Sequence, residues 1–350
     1  MNRIDRYIML SIFALSGIVA LGLVSLYSFI SFVGELDQQG DKGVSAGRIF
    51  LSTIVLAPSA LYVLMPLVAM LGTLLGVGSL AAQSELTAMR AAGYSNLRIG
   101  GAGLMAGLAL GLVAMLLGEQ VAPAAEHYAE QVRRGDAAGS RTKPVWLRDG
   151  PNVFFIRRLS REDRFADAEI FRFDESLRLH SALHVDEAKF AGNGWELSDV
   201  SGTEFGEHGT KPVRHRTMTL ETGLSPDLLK LYVLEADTVS IRGLHRLITY
   251  LDENGLDAEE QRLELWRKVI APITIMAMVV FAVPFVFGPT RGGGAGQRLL
   301  IGVMVGVGFH LLNEVSANLG ALYGWSAPVA AGAPTLALMI AAAVRLARAR

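Results

Sequence analysis

The fold is decided around the stretch Ser84-Glu85-Leu86-Thr87-Ala88-Met89-Arg90-Ala91-Ala92-Gly93, a short polar segment between two long apolar ones. No charged residue occurs between Ile49 and Gln83, and none occurs between Ile99 and Gly118. A helix that crosses a bilayer needs roughly 20 apolar residues. The flanking runs therefore predict two membrane spans, and residues 84–93 join them at one membrane surface.

This joining segment carries its own helix signals. Ser84 is a residue type that caps helix N-termini, and Gly93 is one that ends helices. The charges of Glu85 and Arg90 suit the two ends of the helix dipole. An apolar side on such a helix predicts a coupling helix that docks on a soluble partner, whereas a tight helical loop is the alternative that the residues leave open. The candidate docking residues are Ser84, Glu85, Leu86, Met89, Arg90 and Gly93.

The composition places the whole chain in the membrane class. Of its 350 residues, 51% are hydrophobic and only 19% are charged, which is more apolar than a typical soluble domain. The net charge of −1 and the lack of a Lys/Arg-rich tract argue against a nucleic-acid partner. Cysteine is absent, which excludes disulfides and thiolate metal sites.

Six apolar runs predict six transmembrane helices. The first lacks a convincing cleavage site and is interpreted as an uncleaved span. The third carries Gly103, Gly107 and Gly111, a spacing of small residues that lets another helix approach closely. The predicted spans are Ile8–Val33, one within Ile49–Leu80, Ile99–Gly118, Val269–Phe287, Leu299–Leu319 and Pro328–Val344.

The region between the third and fourth spans has a different pattern. Its apolar residues alternate with period two, and Asp149-Gly150 and Asn193-Gly194 are typical of hairpin turns. This predicts an inserted β domain of the sandwich or jelly-roll type, followed by a helix at Ile241–Asn254. The strand candidates are Val145–Leu147, Val153–Ile156, Ile170–Phe173, Leu177–Val185, Trp195–Leu197 and Arg214–Leu220.

The predicted organisation is therefore an α-helical membrane protein with an inserted β domain. Residues 1–120 hold spans one to three with the coupling helix at 84–93. Residues 121–262 hold the β domain with flanking helices, and residues 263–350 hold spans four to six.

Loop charges predict the orientation in the membrane. Cytoplasmic loops are enriched in Lys and Arg. With both termini in the cytoplasm, the short loops of the opposite side hold only Lys42 and Arg48, and the β domain is periplasmic. The cytoplasmic side then collects Arg3, Arg6, Arg90, Arg98, Arg291, Arg298, Arg345, Arg348 and Arg350.

No motif predicts a catalytic residue, a metal site or a cofactor. The glycine-rich run from Gly288 lacks the Lys-Ser/Thr pair of a phosphate-binding loop and is interpreted as a turn, so the chain is not expected to hydrolyse ATP itself. His180 and His184 lie on a predicted strand, where their side chains would be about 13 Å apart. Surface histidines are the better interpretation of this pair.

Two groups of polar residues remain as candidates for ligand contact. His310 and Glu314 share one face of span five, where a partner or water contact is favoured over a proton relay. Lys42, Arg133 and Arg134 adjoin the predicted outer rim and could bind lipid phosphate, because Arg pairs with phosphate bidentately. Ordinary solvated charge is the simpler interpretation of these three.

Several short motifs resemble one family. Ser84-Glu85, Met89, Ala91 and Gly93 match the pattern of a cytoplasmic helix in the lipopolysaccharide-export ABC permeases of the LptF/LptG family. The resemblance continues in Asp5-Arg6-Tyr7-Ile8, Gly118-Glu119, Val121-Ala122-Pro123 and Phe287-Gly288-Pro289. The stretch Ser240-Ile241-Arg242-Gly243-Leu244-His245 is more similar to the G-type branch than to the F-type branch.

The resemblance implies a permease subunit that extracts lipopolysaccharide from the outer leaflet of the bacterial inner membrane. The expected partners are a paralogous LptF-like permease, an LptB-like cytoplasmic ATPase dimer on the coupling helix, a single-span LptC-like bridge protein and a soluble LptA-like one. Arg133 matches a basic headgroup residue, and spans one and five would form lateral gates. The candidate cavity or gate residues are Phe29, Phe32, Phe309, His310 and Glu314.

Two other functions remain as alternatives. A mechanotransmission permease of the FtsX or MacB type would have one span before its periplasmic domain, whereas three are predicted here. A non-transporting, membrane-anchored assembly module would have no use for a helix between spans two and three.

Overall fold

The structure is a computed structural model that describes residues 2–40, 44–134, 144–161, 163–174, 176–192, 194–206, 209–233, 236–286 and 295–348. The chain forms two compact units. The first consists of Met1–Arg133 and Arg262–Arg350, and the second is Arg134–Gln261.

The first unit is helical. Six helices in the described ranges are long and apolar enough to cross a membrane, as the sequence predicts. The helices of this unit are α1 (Arg3–Gly40), α2 (Ala46–Val55), α3 (Ala57–Ala82), α4 (Glu85–Ala91), α5 (Asn96–Leu116), α6 (Ala122–Arg134), α9 (Glu259–Val286), α10 (Ala295–Tyr323) and α11 (Ala327–Arg348). A π-helical turn, Leu117–Val121, joins α5 to α6.

The second predicted span differs from the observed helix. The apolar run Ile49–Leu80 breaks at Leu56 into α2 and the spanning helix α3. Pro58 lies in the first turn of α3, where its missing N–H costs no hydrogen bond. Both Pro58 and Pro66 therefore lie within the spanning helix α3, Pro58 in its first turn and Pro66 in its interior.

Glycine allows two pairs of these helices to approach closely, and the pair formed by α5 and α9 is the one that the stripe in span three predicts. A Cβ built at Gly107 of α5 would lie 3.0 Å from the Cα of Met276 in α9, and one at Gly103 would lie 3.3 Å from Val283. On α3, a Cβ at Gly76 would lie 2.8 Å from the carbonyl oxygen of Ser11 in α1. The helix backbones are thus packed more closely than ordinary side chains permit.

The second unit contains one antiparallel sheet, and the predicted β insertion is confirmed. Its described strands follow one another in chain order, β1-β2-β3-β4-β5-β6, within a single sheet. The predicted strands are in the right places but are too short. The observed bounds are β1 (Val145–Asp149), β2 (Asn152–Arg161), β3 (Arg164–Phe173), β4 (Leu179–Phe190), β5 (Gly194–Gly206) and β6 (Gly209–Glu221).

The sheet buries one face. Phe154, Phe165 and Trp195 are fully buried, and the rings of Phe165 and Trp195 lie 4.7 Å apart. The β1–β2 turn is the predicted one, with Gly150 at φ 56°. The second predicted turn includes Asn193, which lies outside the described residues.

Two helices follow the sheet, α7 (Pro226–Val233) and α8 (Ile241–Glu253). The predicted helix at Ile241–Asn254 is confirmed: the Ser240 hydroxyl accepts a hydrogen bond from the Gly243 N–H, and Gly255 follows the helix at φ 62°. The Tyr250 hydroxyl donates to the Arg148 carbonyl oxygen at 2.9 Å. This bond joins α8 to the edge strand β1.

Candidate functional site

The end of α4 has the geometry predicted for a helix stop. Gly93 has φ 86°, and its N–H donates to the Arg90 carbonyl oxygen at 3.0 Å. The Tyr94 N–H donates to the Met89 carbonyl oxygen, also at 3.0 Å. These two bonds form a Schellman motif, in which Gly avoids the cost that a side chain has in the left-handed region.

The start of α4 differs from the prediction. Ser84 occupies the N-cap position, but its side chain makes no capping hydrogen bond. The reason is its backbone, which has φ 62° and ψ 5°. A capping residue normally has the extended conformation that aims its oxygen at the first-turn N–H groups. The prediction of a side-chain cap at Ser84 is therefore wrong.

The apolar side of α4 faces its own protein. Leu86 is 4% exposed, and both Leu86 and the half-buried Met89 belong to a core cluster that includes Ile8, Leu80 and Ile99. Leu86 thus anchors α4 and does not face outward as predicted. The exposed positions of α4 are Thr87, Ala88, Arg90 and Ala91.

Polar contacts also attach α4 and the start of α5 to α1. The Tyr94 hydroxyl donates a short hydrogen bond to the Asp5 carboxylate, and Arg98 Nε lies 3.7 Å from Asp5 Oδ1. Sequence reasoning missed Tyr94 and Arg98 as partners of Asp5, although Asp5 belongs to a quoted motif. Asp5 and Tyr94 are 89 residues apart, so their contact gives no periodic signal in the sequence.

The predicted headgroup residues are only partly visible. Lys42 lies outside the described residues. The backbones of Arg133 and Arg134 form the end of α6, but their side chains lie outside the described part of the structure. Their role stays a prediction.

The predicted gate residues separate into exposed and buried ones. On α1, Phe29 is 64% exposed, and Phe32 packs edge-on against Phe50 of α2 with ring centroids 5.7 Å apart. On α10, His310 is exposed, but Phe309 is 7% exposed and packs in a core with Met70 and Phe281. The Phe309 side chain therefore does not share the exposed face of His310.

Glu314 on α10 forms an ion pair with a residue of α9, the helix that precedes α10 in the chain. Its Oε1 lies 3.4 Å from Arg267 Nη2 of α9, and Arg267 Nη1 lies 2.7 Å from Glu264 Oε1. The Glu314 side chain is half exposed. This ion pair lies within the chain, whereas the sequence favours a partner or water contact for Glu314 over a proton relay; that contact stays a prediction.

The side chains in the described ranges do not form a reaction centre. No cluster of three or more His, Cys, Asp or Glu side chains there could hold a metal ion. His184 Nε2 lies 3.2 Å from Asp186 Oδ1 on an accessible part of β4. The remaining candidate site is α4 with its attachments, on a membrane unit of six apolar helices.

Comparison with known proteins decides which class of membrane protein this is. The family model described as lipopolysaccharide export system permease LptF/LptG matches residues 6–348. This chain belongs to the LptF/LptG family.

Curated members of the LptF/LptG family match over nearly the whole chain. The lipopolysaccharide export system permease protein LptG of Escherichia coli strain K12 is 32% identical over 332 residues, which cover 92% of this chain and 91% of that protein. The protein of the same name from Haemophilus influenzae is 31% identical over 345 residues, covering 97% of this chain and 96% of its own length. The predicted resemblance, including its G-type character, is confirmed. The chain is a membrane permease of a lipopolysaccharide export family.

Proposed function

We propose that this chain is the permease subunit of an ABC transporter that extracts lipopolysaccharide from the outer leaflet of the bacterial inner membrane. It passes the lipid to a periplasmic protein bridge toward the outer membrane. ATP is hydrolysed in a separate subunit. The observation that carries the proposal is the family match over residues 6–348.

The attachment of α4 supports a coupling role. A helix that transmits force must be fixed to the part that it moves, and Leu86 and Tyr94 are both buried in the core of the membrane unit. The opposite side of α4 must be free to meet a partner, and Thr87, Ala88 and Ala91 are exposed there. An LptB-like ATPase dimer is the proposed occupant of that side, which faces the cytoplasm together with both termini.

The remaining partners follow from the same proposal. A paralogous LptF-like permease completes the cavity that receives the lipid. Helices α1 and α10 form lateral gates, and the gate residues Phe29, Phe32, His310 and Glu314 lie on these two helices. The β unit is periplasmic and hands the lipid to an LptC-like protein with one span and then to a soluble LptA-like protein. The 121–262 segment and the two flanking groups of three spans are the proposed domains.

Reconstitution tests the proposal. The chain is co-purified with its paralogous permease and the ATPase, placed in proteoliposomes with lipopolysaccharide, and supplied with a soluble bridge protein. ATP should cause transfer of lipid to the bridge protein, and the complex without this chain should transfer none. ATP turnover by the assembled complex with no lipid transfer would contradict the proposal and favour a mechanotransmission permease. The lone chain should hydrolyse no ATP.

The proposed headgroup role of Arg133 has a matched control on the same helix. Arg133→Glu replaces a phosphate-binding charge with a repelling one and should lower photo-cross-linking of lipopolysaccharide to the permease by about tenfold or more. Gln131 is an exposed residue of α6, so Gln131→Glu adds negative charge nearby without removing the guanidinium. Equal cross-linking in both variants would show that Arg133 is an ordinary solvated charge.

A further inference from the structure

We propose that Asp5, Tyr94 and Arg98 form a latch that makes the α4–α5 junction and the first turns of α1 move as one body. The inference rests on the proposed function, because that function assigns α4 to the ATPase. It adds the route by which movement of α4 reaches the first predicted span, and it names the residues that position that span.

The latch is a cluster of three side chains, those of Asp5, Tyr94 and Arg98. The Asp5 carboxylate accepts the Tyr94 hydroxyl hydrogen and lies 3.7 Å from Arg98 Nε. The Arg98 guanidinium carbon lies 4.6 Å from the centroid of the Tyr94 ring, so the cation also covers the aromatic face. Each member contacts the other two. Such a triangle resists both separation and rotation of α1 against the α4–α5 junction.

Apolar packing completes the attachment beside this cluster. Ile8 of α1 is fully buried, and it shares one core cluster with Leu86 and Tyr94. Since Asp5 and Ile8 occupy one turn of α1, the polar and apolar contacts fall on the same short segment.

The chain itself does not join α1 directly to α4. The backbone ties α4 to α3 through Gln83 and Ser84 and to α5 through residues 92–95. The first span precedes α4 by more than one helix, and Asp5 is 89 residues from Tyr94. Movement of α4 therefore reaches α1 through noncovalent contacts, and the latch adds a direct polar contact to the packing of α1 on α3 at Gly76.

Substitution of the two hydrogen-bonding partners tests the latch in the reconstituted complex. Tyr94→Phe keeps the buried ring, and Asp5→Asn keeps the shape of the side chain. Each should lower lipid transferred per ATP hydrolysed by about tenfold, the size expected for a lost charge-assisted hydrogen bond. The double variant should be no worse than the singles, because both break the same bond. Tyr323→Phe, on an exposed tyrosine of α10, is the control and should transfer lipid normally.

A distance measurement separates a latch from mere stability. The chain has no cysteine, so Ala92→Cys, at the exposed residue that ends α4, and Leu10→Cys on α1 give a unique spin-label pair when the partner chains also lack cysteine. With intact latch residues, the interspin distance should be the same before and after a non-hydrolysable ATP analogue binds. In Tyr94→Phe it should change or broaden on binding.

The outcomes discriminate between the two proposals. If the unsubstituted complex transfers no lipid, the proposed function fails. If it does transfer lipid, and Tyr94→Phe and Asp5→Asn match it per ATP, the latch is overturned while the function stands. A nucleotide-dependent change of distance in the unsubstituted pair would also overturn the latch. If the Tyr94→Phe complex fails to assemble, the interspin distance in the complex with intact latch residues decides, and a nucleotide-dependent change there overturns the latch.

Discussion

Gly111 of α5 lies directly against the backbone of Pro272 in α9. A Cβ added at Gly111 would lie 3.0 Å from the Pro272 Cα and 3.1 Å from its carbonyl oxygen. Backbone atoms cannot rotate away as the end of a side chain can. The contact is repeated one turn along, where Gly107 meets the Cα of Met276. The first and last thirds of the chain are joined by this interface.

Substitution of Gly111 should therefore destabilise the membrane unit. Gly111→Leu forces α5 and α9 apart, and overpacking of this kind costs about 1–3 kcal/mol. The measurement is the thermal midpoint of the detergent-solubilised complex. No heavy atom lies within 4 Å of a Cβ added at Gly101 of the same helix, so Gly101→Leu is the matched control and should leave the midpoint unchanged. An equal loss in both variants would contradict the role of the interface.

Substitution of Gly93, the residue that ends α4, should also be destabilising, and here the cause is the backbone conformation alone. No heavy atom lies within 4 Å of a Cβ at Gly93, but its φ is 86°. Gly93→Val should therefore strain the Schellman motif by roughly 1–2 kcal/mol and shift α4 relative to α5. Co-purification of the ATPase should fall. Gly93→Asn is the control, because Asn tolerates this conformation better, and equal loss in both variants would point to another cause.

The parts of the fold that follow from periodicity could be predicted from the sequence. Apolar runs predicted six spans, and the glycines of span three predicted a close helix contact, because a bilayer and a close backbone approach restrict residue type strongly. The break at Leu56 was missed because no charged residue occurs between Ile49 and Gln83 to mark it. Strand lengths were underestimated because charged residues such as Arg157 and Glu169 continue the strands on the accessible face.

The candidate site was only partly predictable for a different reason. The stop at Gly93 is a local signal, and it was found. The burial of Leu86 and the bond between Asp5 and Tyr94 depend on how α1 packs against the α4 region, which a one-dimensional pattern does not contain. Ser84 was misjudged because its residue type suits a cap while its backbone, at φ 62°, does not.

Asp167 predicts acid sensitivity in the β unit. Its carboxylate accepts a hydrogen bond from Arg157 Nη1 at 2.8 Å, and this bond lowers the pKa of Asp167 below the ordinary value. The unfolded chain then takes up this proton first as the pH falls. The pair contributes stability above about pH 4, and the contribution is lost as the pH falls through the lowered pKa.

Asp167→Asn should therefore lower the thermal midpoint at neutral pH, and the difference from the unsubstituted chain should shrink under acid conditions. Tryptophan fluorescence of the purified chain measures both midpoints. Glu196→Gln, at an exposed position of β5, makes the same change in net charge and should show no such pH-dependent gap. A gap that stays constant down to acid pH would assign the effect to something other than the Arg157 pair.

Tyr250 predicts the opposite behaviour, a loss of stability in alkali. Its side chain is buried, the residue being 5% exposed, and its hydroxyl donates to the Arg148 carbonyl oxygen. Burial raises the pKa of Tyr250 above its ordinary value, with the charge of Asp149 as a further cause. As the pH rises past about 10, the unfolded chain loses this proton before the folded chain does, so the free energy of unfolding falls.

Tyr250→Phe removes both the hydrogen bond and the proton. It should cost about 1 kcal/mol at neutral pH and make unfolding less dependent on alkaline pH. Urea unfolding of the purified chain, followed by tryptophan fluorescence across the alkaline range, measures both quantities. Tyr323→Phe, at a 67% exposed position, should change neither, and an unchanged alkaline slope in Tyr250→Phe would show that another group causes the loss.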